Sequence, residues 1–203
     1  RPMPAGPDTL WLLYSNTKVI LATALWKLAE QGAFRFTDRL SDHVPEFGCL
    51  GKRDITILQI ITHQGGFPNA QLSREAWADH SRMKQSVCEF TLEWTPGTRV
   101  HYHGLSAHWA LVTLIEQLTG QDFRVYVRDA ILAPLGLASD LFIGLPESED
   151  ARVSDMYEPN ADGKGMRLLA ESNTTTWRRA GAPGGGGYGT ARGMAALYQM
   201  MLA

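Results

Sequence analysis

Two segments of this sequence predict helices that are apolar on nearly every side. The first runs from Ser15 to Gln31 and is followed by Gly32, and the second covers residues 106–119 and is followed by Gly120. Both are rich in strong helix formers, and a glycine just beyond the last turn commonly ends a helix. A helix with apolar residues all round is stable only when it is buried. The sequence therefore predicts a helix-dominated core in which Ser15 opens a buried helix.

The rest of the chain predicts shorter elements around these two helices. Residues 54–64 place apolar side chains at helical spacing and stop at a pair of glycines. Residues 69–99 are polar and mixed, and they close with a turn at Trp94, Pro96 and Gly97. Residues 144–180 carry prolines and glycines, which predict a loop-like or irregularly extended chain. A glycine-rich run at residues 181–189 then leads into a last helix. No repeat or low-complexity linker divides the chain, so we expect one domain.

The charges and the cysteines of the chain limit which molecules it is expected to bind and which disulfides it can form. The chain carries 19 basic and 21 acidic side chains, a formal net charge of −2, and neither sign forms a long block. These features argue against nucleic acid and anionic membranes as partners. Cys49 and Cys88 are too few for a disulfide framework, although they leave a single bridge open.

The sequence contains no apolar run long enough to span a bilayer. The first ten residues lack the basic start and the apolar stretch of a signal peptide. We therefore expect a soluble protein, in the cytoplasm unless a signal peptide has been removed from a secreted or periplasmic one. The oligomeric state is left open.

Ser15 lies three residues before Lys18 at the start of the first helix. This spacing places both side chains on one helix face, where the amine can take or hold the proton of the hydroxyl. The same spacing occurs at Ser81 and Lys84, where charged neighbours predict a hydrated surface lysine. At Ser15 the apolar surroundings are expected to desolvate Lys18. The alternative interpretation of this pair is a helix-capping serine followed by a lysine that faces solvent. We take Ser15 as the candidate nucleophile, Lys18 as its activating partner and Ser81 as a surface residue.

Further motifs follow in order along the chain, and together they resemble the class C β-lactamase-like serine hydrolases. That family also holds esterases, acyltransferases and peptidases that act on D-residues. The first motif is the Ser-x-x-Lys spacing at Ser15. Residues 60–68 resemble a leucine-rich "L-L-x-H-x-S-G-L-P" segment, and residues 94–104 resemble a "P-G-x-x-x-x-Y-x-N" segment that leads to a tyrosine. Residues 118–120 resemble a "V-T-G" motif and residues 133–137 a "P-L-G-M" motif. Residues 184–192 resemble a glycine-rich segment. Each motif alone is weak, and the resemblance depends on their order.

The resemblance implies an α+β fold of the β-lactamase/transpeptidase type, here mainly the helical lobe with the nucleophile helix and part of the antiparallel sheet. It implies a single domain over residues 1–203, incomplete at both ends, with the helical lobe at about residues 33–143. It assigns Tyr102 as the proton shuttle between the nucleophile and the leaving group. A phenol beside charged or desolvated groups can have a lowered pKa and act as a base at neutral pH. Without the resemblance, the alternative interpretation is that Tyr102 is an aromatic residue that packs under a turn.

Two departures from the family pattern bear on the substrate. The third residue of the tyrosine motif, often an asparagine that holds an amide of the substrate, is Gly104 here. This change favours esters over β-lactams and D-residue peptides, because a site without that amide demands less of the acyl group. We list His103, Gly104 and Trp177 as candidate substrate-binding residues. The second departure concerns the family's last motif, a Lys-Thr-Gly or His-x-Gly strand that completes the oxyanion hole. No Lys-Thr-Gly occurs here, and residues 63–65 match His-x-Gly in letters only, because they precede Tyr102 and lie in a helix-ending turn.

Histidine chemistry offers one further alternative. His101, His103 and His108 could be combined with Glu116 into a metal site, but the first two are close in sequence while the third begins an apolar helix. We therefore expect structural or exposed histidines, and we expect His63 to bond turn backbone. Neither a metal nor an organic cofactor is predicted.

The sequence thus predicts a serine hydrolase that forms an acyl-enzyme on a small-molecule ester or amide, with an esterase-like activity favoured. The alternative is a catalytically impaired member that keeps the fold as a binding or assembly protein, which Gly104 and the absent last motif both favour.

Overall fold

The structure, a computed structural model, describes residues 4–202. Its two longest helices are the two that the sequence predicts, α1 (Thr17–Glu30) and α5 (Ser106–Thr119). They pack against each other in the main core, and every residue from Ser106 to Ile115 is buried. Gly120 ends α5 with a φ of 67°, a left-handed conformation that glycine adopts without steric cost.

The shorter elements surround this pair. The other helices are α2 (Leu40–His43), α3 (Ile57–Ile61), α4 (His80–Cys88), α6 (Phe123–Val127), which continues into a π-helical turn (Arg128–Leu132), α7 (Thr175–Ala180) and α8 (Ala191–Met200). The strands are β1 (Trp11–Leu12), β2 (Leu141–Ile143), β3 (Tyr157–Pro159), β4 (Met166–Leu168) and β5 (Gly187–Gly189).

A small antiparallel sheet lies beside the start of α1. Strand β5 is its centre and pairs with β1 on one side and β2 on the other, so that Tyr188 faces Leu12 and Phe142 in register. Strands β3 and β4 form a separate hairpin. The glycines of β5 allow the strand to approach the start of α1 closely, since a Cβ on Gly187 would lie 2.8 Å from Thr17 Oγ1. The glycine-rich run predicted before the last helix therefore contains a buried strand.

Three expectations from the sequence need correction. The helix predicted over residues 54–64 is confined to Ile57–Ile61, because His63 adopts a left-handed φ of 62°. Residues 69–99, whose secondary structure the sequence leaves open before the closing turn, contain α4, which Asp79 caps by accepting the N–H of Arg82.

The region from residue 144 to 180, predicted as irregular, contains the β3–β4 hairpin and α7. Helix α1 is not buried on all sides either. Trp26 is 63% exposed, and it lines an apolar cleft of about 700 Å³ together with Phe36 and Leu135.

The two cysteines, Cys49 and Cys88, are both free thiols. Between residues 4 and 202, the helices are all too short or too polar to cross a lipid bilayer.

Candidate active site

Ser15 lies in a tight turn between the sheet and helix α1. The chain leaves β1, forms a single 3₁₀ turn over Tyr14–Asn16 and enters α1 directly. Tyr14 has a φ of 45°, which is uncommon for a residue with a side chain. Leu13 N–H donates to Gly187 O over 2.8 Å, so the turn is tied to β5. This geometry leaves Ser15 exposed at the surface.

Ser15, Lys18 and Tyr102 come together although Tyr102 is 87 residues from Ser15. The Ser15 Oγ and Tyr102 hydroxyl oxygens are 2.5 Å apart, and Lys18 Nζ donates to Ser15 Oγ over 3.3 Å. Lys18 also donates to the carbonyl of Gly184, and its Nζ lies 5.0 Å from the centre of the Tyr102 ring. A protonated amine can only donate, so the Ser15 hydroxyl proton is free to point at Tyr102.

The electrostatics of this cluster lower the pKa of Tyr102. Burial raises the pKa of the phenol, but hydrogen bonds to Lys18 and Ser15 and the charge of Lys18 outweigh it, so the pKa lies below its usual value. The residue is still 53% exposed, so the hydroxyl is open to an incoming substrate.

The second serine–lysine pair has different surroundings. Ser81 is exposed on α4, and Lys84 donates to Glu46 over 3.1 Å and to Gln117 over 3.4 Å. Ser81 is a surface residue, as the sequence predicts, and its lysine is paired with other side chains.

Thr17 is a residue of this site that the sequence analysis did not single out. Its side chain is fully buried, and its Oγ1 accepts the N–H of Gly187 over 2.9 Å. This bond fastens the first turn of the nucleophile helix to the central strand. No motif near Ser15 in the sequence points to this contact.

We expect Thr17→Val to lower the free energy of unfolding by about 1–3 kcal/mol, because it leaves the buried N–H of Gly187 without an acceptor. Chemical denaturation measures the change. Thr23→Val is the matched control on the same helix: the Thr23 hydroxyl only donates back to Val19 O, so we expect a change within about 0.5 kcal/mol. Equal effects of the two variants would contradict the role given to Thr17.

Three histidines lie behind Tyr102. The His63 ring is 4.8 Å from the Tyr102 ring, and the rings of His103 and His108 lie 5.9 and 6.5 Å from that of His63. Burial lowers the pKa of all three imidazoles, and for His108 the value falls to about 3. His63 accepts the backbone N–H of His103 over 3.2 Å, as the sequence analysis expected of a histidine that bonds turn backbone.

His103 is not placed to contact a substrate. It is fully buried, its Nε2 accepts the N–H of Phe67 over 3.1 Å, and its Nδ1 lies 2.6 Å from His101 O. Both ring nitrogens are therefore used, which corrects the expectation that His103 binds substrate.

The other two candidate substrate-binding residues differ from each other. A Cβ on Gly104 would meet no atom within 4 Å, so the position opens into free space. Gly104 also lies beside Gly184, whose carbonyl accepts from Lys18. Trp177 is half-buried and packs edge-on against Trp77 with ring centres 5.4 Å apart. Its contact with a substrate stays a prediction.

The histidines of the alternative metal site are not grouped. His101 is exposed while His103 and His108 are buried. Among residues 4–202, a cluster of metal-ligand type is formed instead by His80, Glu116 and Asp122. There Arg124 Nη2 approaches His80 Nε2 to 2.6 Å and Asp122 to 2.8 Å, so a guanidinium already supplies the positive charge.

The buried imidazole of His108 makes the free energy of unfolding depend on pH in the acidic range. Its pKa is about 3 in the folded protein against 6.5 for an ordinary histidine, so folding favours the neutral ring. Its contribution is complete above pH 6.5 and is lost as the pH falls toward about 3, at up to about 1.4 kcal/mol per pH unit.

We therefore expect His108→Leu, which also removes a buried Nδ1 without a hydrogen-bond partner, to lose stability less steeply in acid than the wild type. Urea denaturation at a series of pH values below 6.5 measures the slopes. His101→Leu, at an exposed position, serves as the control and should keep the wild-type slope. A wild-type slope in His108→Leu would show that His108 does not carry this dependence.

Comparison with known proteins identifies a family and several relatives that this chain is similar to. The whole chain, residues 1–203, matches the sequence model of the family described as Beta-lactamase. It is 26% identical over 162 residues to "Esterase/beta-lactamase LipL" of Mycobacterium tuberculosis, covering 77% of this chain and 37% of that protein. It is 31% identical over 156 residues to a "Putative D-alanyl-D-alanine carboxypeptidase" of Escherichia coli strain K12, covering 70% of this chain and 36% of the relative.

A solved structure extends the comparison to the fold. The "Crystal structure of a family VIII carboxylesterase" superimposes with a TM-score of 0.85 at 30% identity, covering 98% of this chain and 57% of that one. The chain thus spans little more than a third of the length of the two curated relatives and just over half of the solved structure.

Proposed function

The chain belongs to the beta-lactamase family, and from this premise we propose that it is a serine hydrolase in which Ser15 is acylated by a small-molecule ester. The predicted fold is confirmed: helices dominate, and a small antiparallel sheet forms part of a β-lactamase/transpeptidase-like fold. Relatives with esterase, β-lactamase and carboxypeptidase names support a hydrolase. The observation that carries the proposal is the contact of Ser15 Oγ with both Lys18 Nζ and the Tyr102 hydroxyl.

The direction of the hydrogen bonds supports a proton path. Lys18 donates to Ser15 Oγ and to Gly184 O, so its charge lies beside both the nucleophile and Tyr102. The lowered pKa of Tyr102 suits it to accept the Ser15 proton as Oγ attacks the ester carbonyl. Tyr102 then returns that proton to the departing alkoxide. In the second step Tyr102 takes a proton from water as the water attacks the acyl-enzyme carbonyl. It passes that proton to Ser15 Oγ as the bond between Oγ and the acyl carbon breaks, which releases the acid and restores the free serine.

The developing oxyanion needs hydrogen-bond donors. We assign one of them to the backbone N–H of Ser15, and the resemblance predicts a second on a strand bearing the family's last motif. The hydrogen bond from Leu13 N–H to Gly187 O ties the turn that presents Ser15 to β5 and keeps Tyr14 in its uncommon conformation. The nucleophile and this donor are therefore positioned before substrate arrives.

Gly104 favours ester substrates in this proposal. The free space at its Cα leaves no side-chain amide beside Lys18 to hold the acyl-amide group of a β-lactam or peptide. A substrate that requires such a partner loses a hydrogen bond here, whereas a simple ester does not. Gly104 is also the feature that most favours a catalytically impaired binding or assembly protein.

Covalent labelling separates an enzyme from such a binding protein. A fluorophosphonate reacts only with an activated serine, and we expect mass spectrometry to find the label on the peptide that contains Ser15. The peptide that contains Ser81 provides the internal control, since its serine has the same spacing from a lysine, but that lysine, Lys84, donates to Glu46 and Gln117 instead. A label on Ser81, or no label while p-nitrophenyl butyrate is also left intact, would refute the proposal.

A further inference from the structure

Tyr102 is held from both sides by one residue, His63. The backbone N–H of His101 donates to the carbonyl of His63 over 3.1 Å. The backbone N–H of His103 donates to the Nδ1 of the same residue over 3.2 Å. The two residues that flank Tyr102 are therefore both bound to His63, and the imidazole also packs against the Tyr102 ring with centres 4.8 Å apart.

The backbone conformation of His63 makes these contacts possible. Its φ of 62° lies in the left-handed region, which residues other than glycine adopt only at some energetic cost. The conformation ends α3 and turns both the carbonyl and the ring toward residues 101–103. Strain of this kind persists only where surrounding contacts compensate for it, and it is concentrated at functional sites.

From this geometry we propose that His63 is a positioning residue that holds the Tyr102 hydroxyl within reach of Ser15 and Lys18. The inference rests on the proposed function, because it assigns His63 to the proton path at Ser15. His63 does not touch the nucleophile. It acts through Tyr102, whose hydroxyl must stay within hydrogen-bond distance of Ser15 Oγ to move a proton.

The neutral state of His63 is part of this role. Nδ1 can accept the His103 N–H only when it is unprotonated. Burial, the neighbouring His103 and the charge of Lys18 all lower the pKa of His63. The other titratable groups around it are Tyr102 and the buried His108, and Glu93 acts on His103. The acceptor is therefore available through the neutral range and is lost only in acid.

Two substitutions separate the side chain from the backbone. His63→Gly keeps the left-handed conformation but removes both the acceptor and the ring. His63→Asn also tolerates that conformation and puts an amide oxygen near the place of Nδ1. We expect His63→Gly to lower kcat for p-nitrophenyl butyrate by about 10²-fold with little change in KM, as a small misplacement of a catalytic group does. We expect His63→Asn to recover most of that loss.

A second measurement does not need turnover. The absorbance of tyrosinate, taken as the difference between a protein and its Tyr102→Phe partner, follows the ionisation of Tyr102 alone. In His63→Gly we expect the pKa of Tyr102 to rise toward its usual value, because the phenol leaves Lys18 and Ser15. In His63→Asn we expect it to stay low.

The outcomes distinguish the two proposals. If the wild type neither hydrolyses esters nor takes a fluorophosphonate, the proposed function fails, while the titration still tests whether His63 holds Tyr102. Wild-type kcat and an unchanged Tyr102 titration in folded His63→Gly would overturn the positioning role. So would a His63→Asn variant that is as impaired as His63→Gly.

Discussion

Replacing Ser15 with alanine is expected to abolish ester turnover, with a loss in kcat of about 10³ to 10⁶-fold. The only oxygen removed is Oγ, which lies 2.5 Å from the Tyr102 hydroxyl and 3.3 Å from Lys18 Nζ. Without it no acyl-enzyme forms, and the remaining donors can only stabilise direct attack by water. The measurement is the rate of p-nitrophenyl butyrate hydrolysis by purified protein.

Ser81→Ala gives that experiment a matched control. Ser81 also lies three residues before a lysine, but that lysine, Lys84, is paired with Glu46. We expect wild-type turnover from Ser81→Ala. If Ser15→Ala kept its activity, or if Ser81→Ala lost it, the nucleophile would have to be sought elsewhere. Circular dichroism of both variants shows whether they remain folded, which is expected because Ser15 and Ser81 are both exposed.

Tyr102→Phe is expected to lower kcat by about 10² to 10⁴-fold, the usual contribution of a general acid–base group. The substitution keeps the ring that packs against His63 and removes only the hydroxyl that contacts Ser15. Because that phenol has a pKa below its usual range, the wild type should lose activity as acid protonates it, and Tyr102→Phe should lack this limb of the pH profile. Rates across the pH range, with kcat and KM separated, measure the effect.

Tyr157→Phe, on the exposed strand β3, is the control for removal of a tyrosine hydroxyl. It should leave both kcat and the pH profile unchanged. A Tyr102→Phe variant that raised KM alone would point to substrate binding, and one that kept the wild-type acid limb would place the proton acceptor on another group.

Local sequence spacing predicted the parts of this site that lie within one helix. Ser15 and Lys18 share a face because they are three residues apart, and the apolar residues of α1 and α5 require burial whatever else the chain does. The short elements were harder to predict. Helix α4 is polar apart from the face formed by Met83, Val87 and Cys88, and its start depends on the cap at Asp79.

Other features could not be predicted because they depend on contacts between distant segments. Nothing in the sequence shows that Thr17 Oγ1 meets Gly187 N–H, or that Trp26 faces a cleft while the preceding residue is buried. The sequence marks His103 as a polar residue next to Tyr102, whereas the fold buries it completely and uses both of its ring nitrogens. The domain limits and the helical lobe at about residues 33–143 stay predictions.

The amino-acid sequence by itself determined the helical core, the pairing of Ser15 with Lys18 and the order of motifs that identifies the family, because each depends on near neighbours along the chain. Only the tertiary structure decided that Tyr102 reaches Ser15 across 87 residues. It also decided that His63, at the strained end of α3, holds the backbone on both sides of that tyrosine. The physical reason is that a hydrogen bond between distant segments exists only once packing has brought its donor and acceptor together.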